Sequence, residues 1–251
     1  MKKLTILLVF LIPSFLQAQT SGKVEYNQTI QITPPPNMPK EWADRMPKER
    51  SIVKELYFNQ TISTYKNGEM KRQGEGQVDG GGRGRFRMRM MGGGSFNPNA
   101  ITYKNLSSNM AVDNRDIMGK AFIIETEIEK TKWKMTGQKK EILGYMAMEA
   151  TTIENDSIPV KAYFTPQIPV PNGPAMYQGL PGLILEIDRN NGESVITATS
   201  IELGEITDAS LEKPTTGKKV TQEEFEAIRK KKMQEMREQR GDRGTRTRSG
   251  E

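Results

Sequence analysis

The residues with the most evident chemical potential lie between Gly74 and Gly94, where Arg83, Arg85, Arg87 and Arg89 alternate with Gly84, Phe86, Met88 and Met90. In an extended chain, side chains two apart share a face, so four guanidinium groups would line one side and Phe86, Met88 and Met90 the other. Guanidinium is planar, always charged and suited to bidentate contact with phosphate or carboxylate, which makes the run a candidate contact for an anionic envelope surface. Met88, Met90 and Met91 are closely spaced thioethers. Such groups are soft ligands for Cu(I) in an oxidising compartment, and equally they are adaptable packing groups. Glycine at this density raises the cost of ordering, which predicts a mobile surface insertion over residues 71–95. An arginine-glycine run can also grip single-stranded nucleic acid. An exported chain does not meet that partner, and none is expected.

Composition removes most other chemistry. The 251 residues contain no histidine and no cysteine, so Ser-His and Cys-His nucleophiles, the usual zinc ligand sets and disulfides are all excluded. The carboxylates show no recognisable catalytic pairing. Gly80-Gly81-Gly82 lacks the lysine and the strand-to-helix setting of a phosphate loop. The reading is therefore a non-enzymatic protein without a cofactor. A formal net charge of +6 favours anionic surfaces but is too small to name a partner.

The N-terminus has three parts: Met1-Lys2-Lys3, an apolar run from Leu4 to Phe15, and a small residue at Ala18. That is the pattern of a secretory signal peptide over residues 1–18, cleaved after Ala18, and the apolar run is too short for a membrane anchor. The mature chain is expected to be periplasmic or secreted, and not an integral membrane protein.

Among the elements that must position any site, the most distinctive is the run from Tyr177 to Ile187. Gly179 and Gly182 bracket Leu180-Pro181, and an aliphatic strand, Leu183-Ile184-Leu185-Glu186-Ile187, follows without a spacer. Proline fixes its own φ and disfavours helix before it, while the glycines permit positive φ or close backbone approach, so a rigid bend should feed an interior strand. Pro166, Pro169, Pro171 and Pro174 make the approach a stiff extended connector.

Strand chemistry, with β-branched and aromatic residues between turn signals, marks Val24 to Ile32, Ser51 to Tyr65, Ile101 to Tyr103, Ala121 to Ile128, Ile142 to Ile153, Ile158 to Phe164 and Val195 to Ile206. Turns are expected at Asn67-Gly68, Thr136-Gly137-Gln138, Asn155-Asp156-Ser157 and Asn191-Gly192, the last as a type I′ pair. Gly144 suggests a bulge or close approach, with Trp133 packing near Ile142 and Gly144. A short helix over Lys40 to Met46 would place Trp42 and Met46 against the core. After a polar linker from Lys213 to Lys219, Thr221 and Glu224 have capping-box spacing and Val220 and Phe225 form a hydrophobic staple, so a helix begins at Gln222. Phe225, Ile228, Met233 and Met236 form its thin apolar stripe, and Arg240 to Glu251 should be disordered.

The six residues Gly179-Leu180-Pro181-Gly182-Leu183-Ile184 resemble the signature of the GLPGLI family, which is named for them. Trp133-Lys134-Met135, Lys140 to Tyr145, Tyr163-Phe164-Thr165, Gln167 to Val170 and Gly173-Pro174 look like that family's approach to its turn. Positions where the family often carries cysteine and lysine hold Met148 and Glu149 here. The resemblance implies an exported Gram-negative envelope protein of no assigned biochemistry.

The expected architecture is mainly β: a curved antiparallel sheet or incomplete barrel over residues 19–210, with a short helix near the N-terminus, then linker, charged helix and tail over 211–251. Two functional classes stay open. A binding or carrier module would hold an apolar envelope ligand in the concave side of the sheet. An assembly accessory would touch an outer-membrane protein partner through the basic loop and tail, with a solid core and an exposed apolar patch. Cu(I) handling by the methionines is a subordinate variant.

Overall fold

A computed structural model describes residues 20–36, 38–68 and 100–246. The leader over 1–18 and the run containing Arg83, Arg85, Arg87, Arg89, Met88, Met90 and Met91 lie outside these residues. Twelve strands form one sheet: β1 Gly22–Gln31, β2 Glu49–Phe58, β3 Ile62–Asn67, β4 Ile101–Asn105, β5 Met110–Ile117 and β6 Lys120–Glu127. They continue with β7 Lys134–Ile142, β8 Tyr145–Glu154, β9 Ile158–Thr165, β10 Leu183–Arg189, β11 Ser194–Leu203 and β12 Lys218–Val220. Helix α1 is Lys40–Ala43 and helix α2 is Gln222–Arg246. The spatial order is β12-β6-β5-β4-β3-β2-β1-β11-β10-β9-β8-β7. Every pairing is antiparallel except β12 on β6, so the body is mixed at one edge, and the sheet does not close into a barrel.

Alternation sets the faces. In β1, Val24 and Tyr26 are buried while Lys23 and Glu25 point the other way, and register carries this through Leu56 of β2 and Tyr65 of β3. The inner face of β1–β3 and β8–β11 forms one core with Ile168, Val170 and Leu180 of the connector between β9 and β10. The sheet must bend to achieve this. Flat, β4 and β10 would be five strand spacings apart, about 24 Å, yet Lys104 of β4 bonds to a loop whose Gly173 packs directly on Ile184 of β10.

The other half is closed by the C-terminal chain. From β11 it crosses the outer face, where Lys213 reaches Glu125 at 2.9 Å and Thr216 accepts from Asn114 at 3.0 Å. It then adds β12 at the edge and turns into α2 on the inner face. Thr221 and Glu224 cap that helix reciprocally, at 3.0 and 3.1 Å. Phe225 and Ile228 seal Phe122, Ile124 and Val220.

Several expectations need correction. Part of the polar linker became β12, because Lys218–Val220 finds the open edge of β6. The helix continues through Arg246, past the point where disorder was expected at Arg240. Thr136-Gly137-Gln138 is a bulge inside β7, with Gly137 at φ 81°, and the β7–β8 turn is Leu143-Gly144, both at positive φ. Asn191-Gly192 belongs to a longer loop in which Asn190, Asn191 and Gly192 are all left-handed. Asn67 ends β3, and the chain beyond Gly68, on which the expected turn depends, lies outside the described residues. Trp133 packs on the core from the far end of β7 from Ile142. Trp42 is 64% exposed, α1 buries no residue and Met46 joins no core cluster, so neither Trp42 nor Met46 is a core contact. Four residues between Pro39 and Pro47 make a single turn too short to lay a side across the sheet.

Candidate functional site

The connector from Pro166 to Gly182, with the turn Gly179-Leu180-Pro181-Gly182 at its end, is closely packed and internally hydrogen-bonded. Its two glycines have different tasks. Gly179 has φ 86° and open space around a would-be Cβ, so only conformation requires glycine there. At Gly182 a Cβ would lie 2.1 Å from the carbonyl oxygen of Thr165, so the requirement is room. Gly173 likewise leaves no space, since a Cβ would fall 2.7 Å from Cβ of Ile184. Leu183, Ile184 and Leu185 are completely buried, and β10 lies between β9 and β11 as an interior strand.

A buried irregular segment must find partners for its backbone groups. The first residues of β10 precede its pairing with β11, which begins at Glu186. Instead, Leu183 N–H donates to Ile168 O and Ile184 N–H to Asn172 O, both at 2.9 Å. Ile184 O accepts from the hydroxyl of Tyr26 at 2.7 Å. Gly179 N–H donates to Pro171 O, and Gln178 O accepts from Trp133 Nε1 at 2.9 Å. Gly173 O and Tyr177 O both accept from Lys104 Nζ, at 2.8 and 3.0 Å. Two side chains from outside the connector, Lys104 and Trp133, therefore hold three of its carbonyls, and Tyr26 holds the start of the strand that follows.

Lys104 is fully buried, and burial pulls its pKa down to about 7 against a modest opposing pull from Asp113. Two carbonyl acceptors match the two N–H groups of a neutral amine. Around it, Ser63 lies directly opposite on β3 and Asn172 adjoins Gly173. Ser63 Oγ, Tyr65 Oη and Asn172 Nδ2 are buried without a protein partner. Nothing in the sequence flagged Lys104 or Tyr26. Alternation in β4 was a weak signal that position 104 shares the inner face with Thr102.

The opposite face of β7–β11 is a compensated polar ladder. Lys140 Nζ sits 2.6 Å from Glu186 and 3.8 Å from the centre of the Tyr163 ring, while Tyr163 donates to Glu149. That bond, more than burial, raises the Tyr163 pKa to about 12 and lowers that of Glu149. Glu149 is thus occupied in a surface network, and Met148 packs against the core. The charged groups named here are paired with one another, beside an exposed Ile153.

The connections β1–β2, β3–β4 and β5–β6 share one end of the sheet. The chain leaves β3 at Gly68 and returns at Ala100 from that end, so the four arginines and the methionine group attach there, although their own positions lie outside the described residues. Among the described residues, no group of three or more His, Cys, Asp or Glu side chains could hold a metal ion, and no helix is long and apolar enough to cross a membrane.

Residues 153–186, from the end of β8 through the connector to Glu186, match a family described as a protein of unknown function, Porph_ging. None of the curated proteins matches the chain. The fold is similar to PNGF-II in its C2 crystal form, with a TM-score of 0.55 and 16% identity over 84% of this chain and 33% of that one. In its P21 form the values are 0.51 and 17%, over 83% and 33%. The chain spans a third of the length of PNGF-II, and at this identity the likeness concerns the fold alone.

Proposed function

We propose that this chain is an exported, non-enzymatic interaction module of the cell envelope, working through one end of its sheet. The observation that supports this over a carrier role is the occupancy of the inner face. Where an apolar ligand would sit, Ile168 and Val170 are fully buried and Leu180 is nearly so, all within the main core. The connector is the sheet's own filling. What remains available lies outside, and the polar ladder of β7–β11 is already compensated. The end carrying the β1–β2 and β5–β6 connections also carries the attachment of Arg83, Arg85, Arg87 and Arg89, which we assign to contact with anionic envelope groups. Export rests on the signal pattern of residues 1–18.

Native mass spectrometry of protein purified from its own envelope tests the reading. The expected result is the bare mass of the processed chain. A stoichiometric apolar adduct, lost when Val170 is replaced by a charged residue, would restore the carrier role and overturn this one.

A further inference from the structure

Among the described residues, four buried side-chain atoms have no protein partner: Ser63 Oγ, Thr64 Oγ1, Tyr65 Oη and Asn172 Nδ2. Such atoms are rare in a folded chain, because each forfeits the hydrogen bonds it made in water. Thr64 lies on the opposite face of β3 from its two neighbours. The other three gather beside Lys104. Ser63 is its direct partner in the β3–β4 register, where the Cβ atoms of such a pair are about 5 Å apart. Tyr65 stands two residues along the same face, and its ring meets edge-on that of Tyr26, whose hydroxyl holds Ile184 O. Ile184 in turn packs on Gly173, whose carbonyl oxygen is 2.8 Å from Lys104 Nζ. Asn172 precedes that glycine and accepts its N–H through Oδ1 at 2.8 Å, which leaves Nδ2 over. Ser63, Lys104 and Asn172 are 0% exposed and Tyr65 is 5% exposed.

We infer that these groups enclose an internal hydration site, in which buried water joins Lys104 to Ser63, Tyr65 and Asn172 and so fastens β3 as well as β4 to the connector. The hydrogen-bonding positions select water over an ion. Lys104 gives two N–H groups to Gly173 O and Tyr177 O, and its third position is left. On a neutral amine that position is a lone pair, which requires a donor. Asn172 Nδ2 only donates and requires an acceptor, while the Ser63 and Tyr65 hydroxyls do either. A halide serves Nδ2 but not the lone pair. A metal cation serves the lone pair but faces the N–H groups of Nδ2. Water donates twice and accepts twice, so one molecule meets both demands, and two to four polar partners are what hold buried water in proteins. The lysine stem reaches from β4 to the connector, whereas the serine beside it ends one atom beyond Cβ. Its hydroxyl therefore needs a bridge to cross the same gap.

The first test is a crystal structure of the full chain at a resolution that shows ordered water. Solvent density should lie about 3 Å from Lys104 Nζ and from at least two of Ser63 Oγ, Tyr65 Oη and Asn172 Nδ2. The second is urea unfolding of Ser63→Ala beside the native chain at pH 8. Removing a bridged hydroxyl should raise the unfolding equilibrium constant about five-fold, the worth of one hydrogen bond. Removing a hydroxyl that has no partner leaves that constant unchanged or lowers it. The inference is overturned by an absence of density between these groups, by Ser63 Oγ turned directly onto Lys104 Nζ, or by a Ser63→Ala chain at least as stable as the native one. So does an anomalous peak at this place in crystals grown in bromide overturn it, since the site would then hold an anion against a charged Lys104.

Discussion

Lys104 makes the stability of this protein depend on pH in an unusual direction. Unfolded, its amine should titrate near the ordinary value of 10.5; folded, burial brings it to about 7. Between those values the unfolded chain holds a proton that the folded chain has released. Stability therefore rises with pH across the window, and below about pH 7, where both states are protonated, the contribution is flat and at its lowest. With a pKa near 7 folded and 10.5 unfolded, the gain from pH 7 to 9.5 is about 3 kcal/mol at ~1.4 kcal/mol per unit. Other groups titrate too, so the measurement needs a reference chain. Lys104→Met keeps most of the volume and removes the titration, at the cost of leaving Gly173 O and Tyr177 O unpartnered, about 1–3 kcal/mol each. Urea unfolding of both proteins at pH 7, 8, 9 and 9.5 gives the difference in stability between them. It should grow in favour of the native chain by about 3 kcal/mol. Higher pH is avoided because burial raises the Tyr26 and Tyr65 hydroxyls, whose unfolded forms ionise first and then reverse the slope. A difference that stays constant within about 0.5 kcal/mol, well below the linkage expectation, would refute a neutral buried amine as the anchor of the connector.

The two glycines of the turn should respond unequally to alanine. Gly179→Ala meets no atom and should cost about 1–2 kcal/mol from its left-handed φ alone, whereas Gly182→Ala collides with the Thr165 carbonyl and should cost more than about 3 kcal/mol or prevent folding; thermal or urea unfolding of each variant decides it. Leu143 is an exposed leucine at φ 52°, so Leu143→Asn should raise the unfolding free energy by roughly 0.5–1 kcal/mol in urea unfolding, and a loss of stability would mean that the leucine makes contacts the fold needs. Thr221→Ala removes one half of the reciprocal cap and should destabilise α2 by about 1 kcal/mol, seen as faster amide exchange in its first turn, with the sheet unaffected. If the methionine group is packing material, Cu(I) affinity measured against a competing chelator will be the same after Met88, Met90 and Met91 are replaced by leucine; a fall would establish a thioether site.

Local chemistry made some elements plain before any coordinates. Proline between two glycines, followed by continuous aliphatic residues, can scarcely be anything but a bend entering a buried strand, and Thr221 with Glu224 dictates its own cap. Long-range competition decided the others. Lys218–Val220 has no strand pattern of its own and pairs only because the edge of β6 is open. Leucine is a poor choice at positive φ, so Leu143-Gly144 gave no turn signal, while Thr136-Gly137-Gln138 gave one that the strand absorbed as a bulge. Trp42 looked like core because tryptophan usually is; its helix is simply too short to return to the sheet. Lys104 was invisible because a lysine belongs inside only when carbonyls from a segment some seventy residues away come to meet it.

Amide hydrogen exchange in low denaturant asks most directly whether the stretch between β9 and β10 is a structural filling. Protection should be read at Asn172, Gly179, Leu183 and Ile184, whose N–H groups bond within it. Exchange only by global unfolding, with the same denaturant dependence as Ile187 and Ile196, is the outcome expected here. Exchange of these four through a local opening, while Ile187 and Ile196 stay protected, would mean that the inner face can be vacated and that a ligand could take its place.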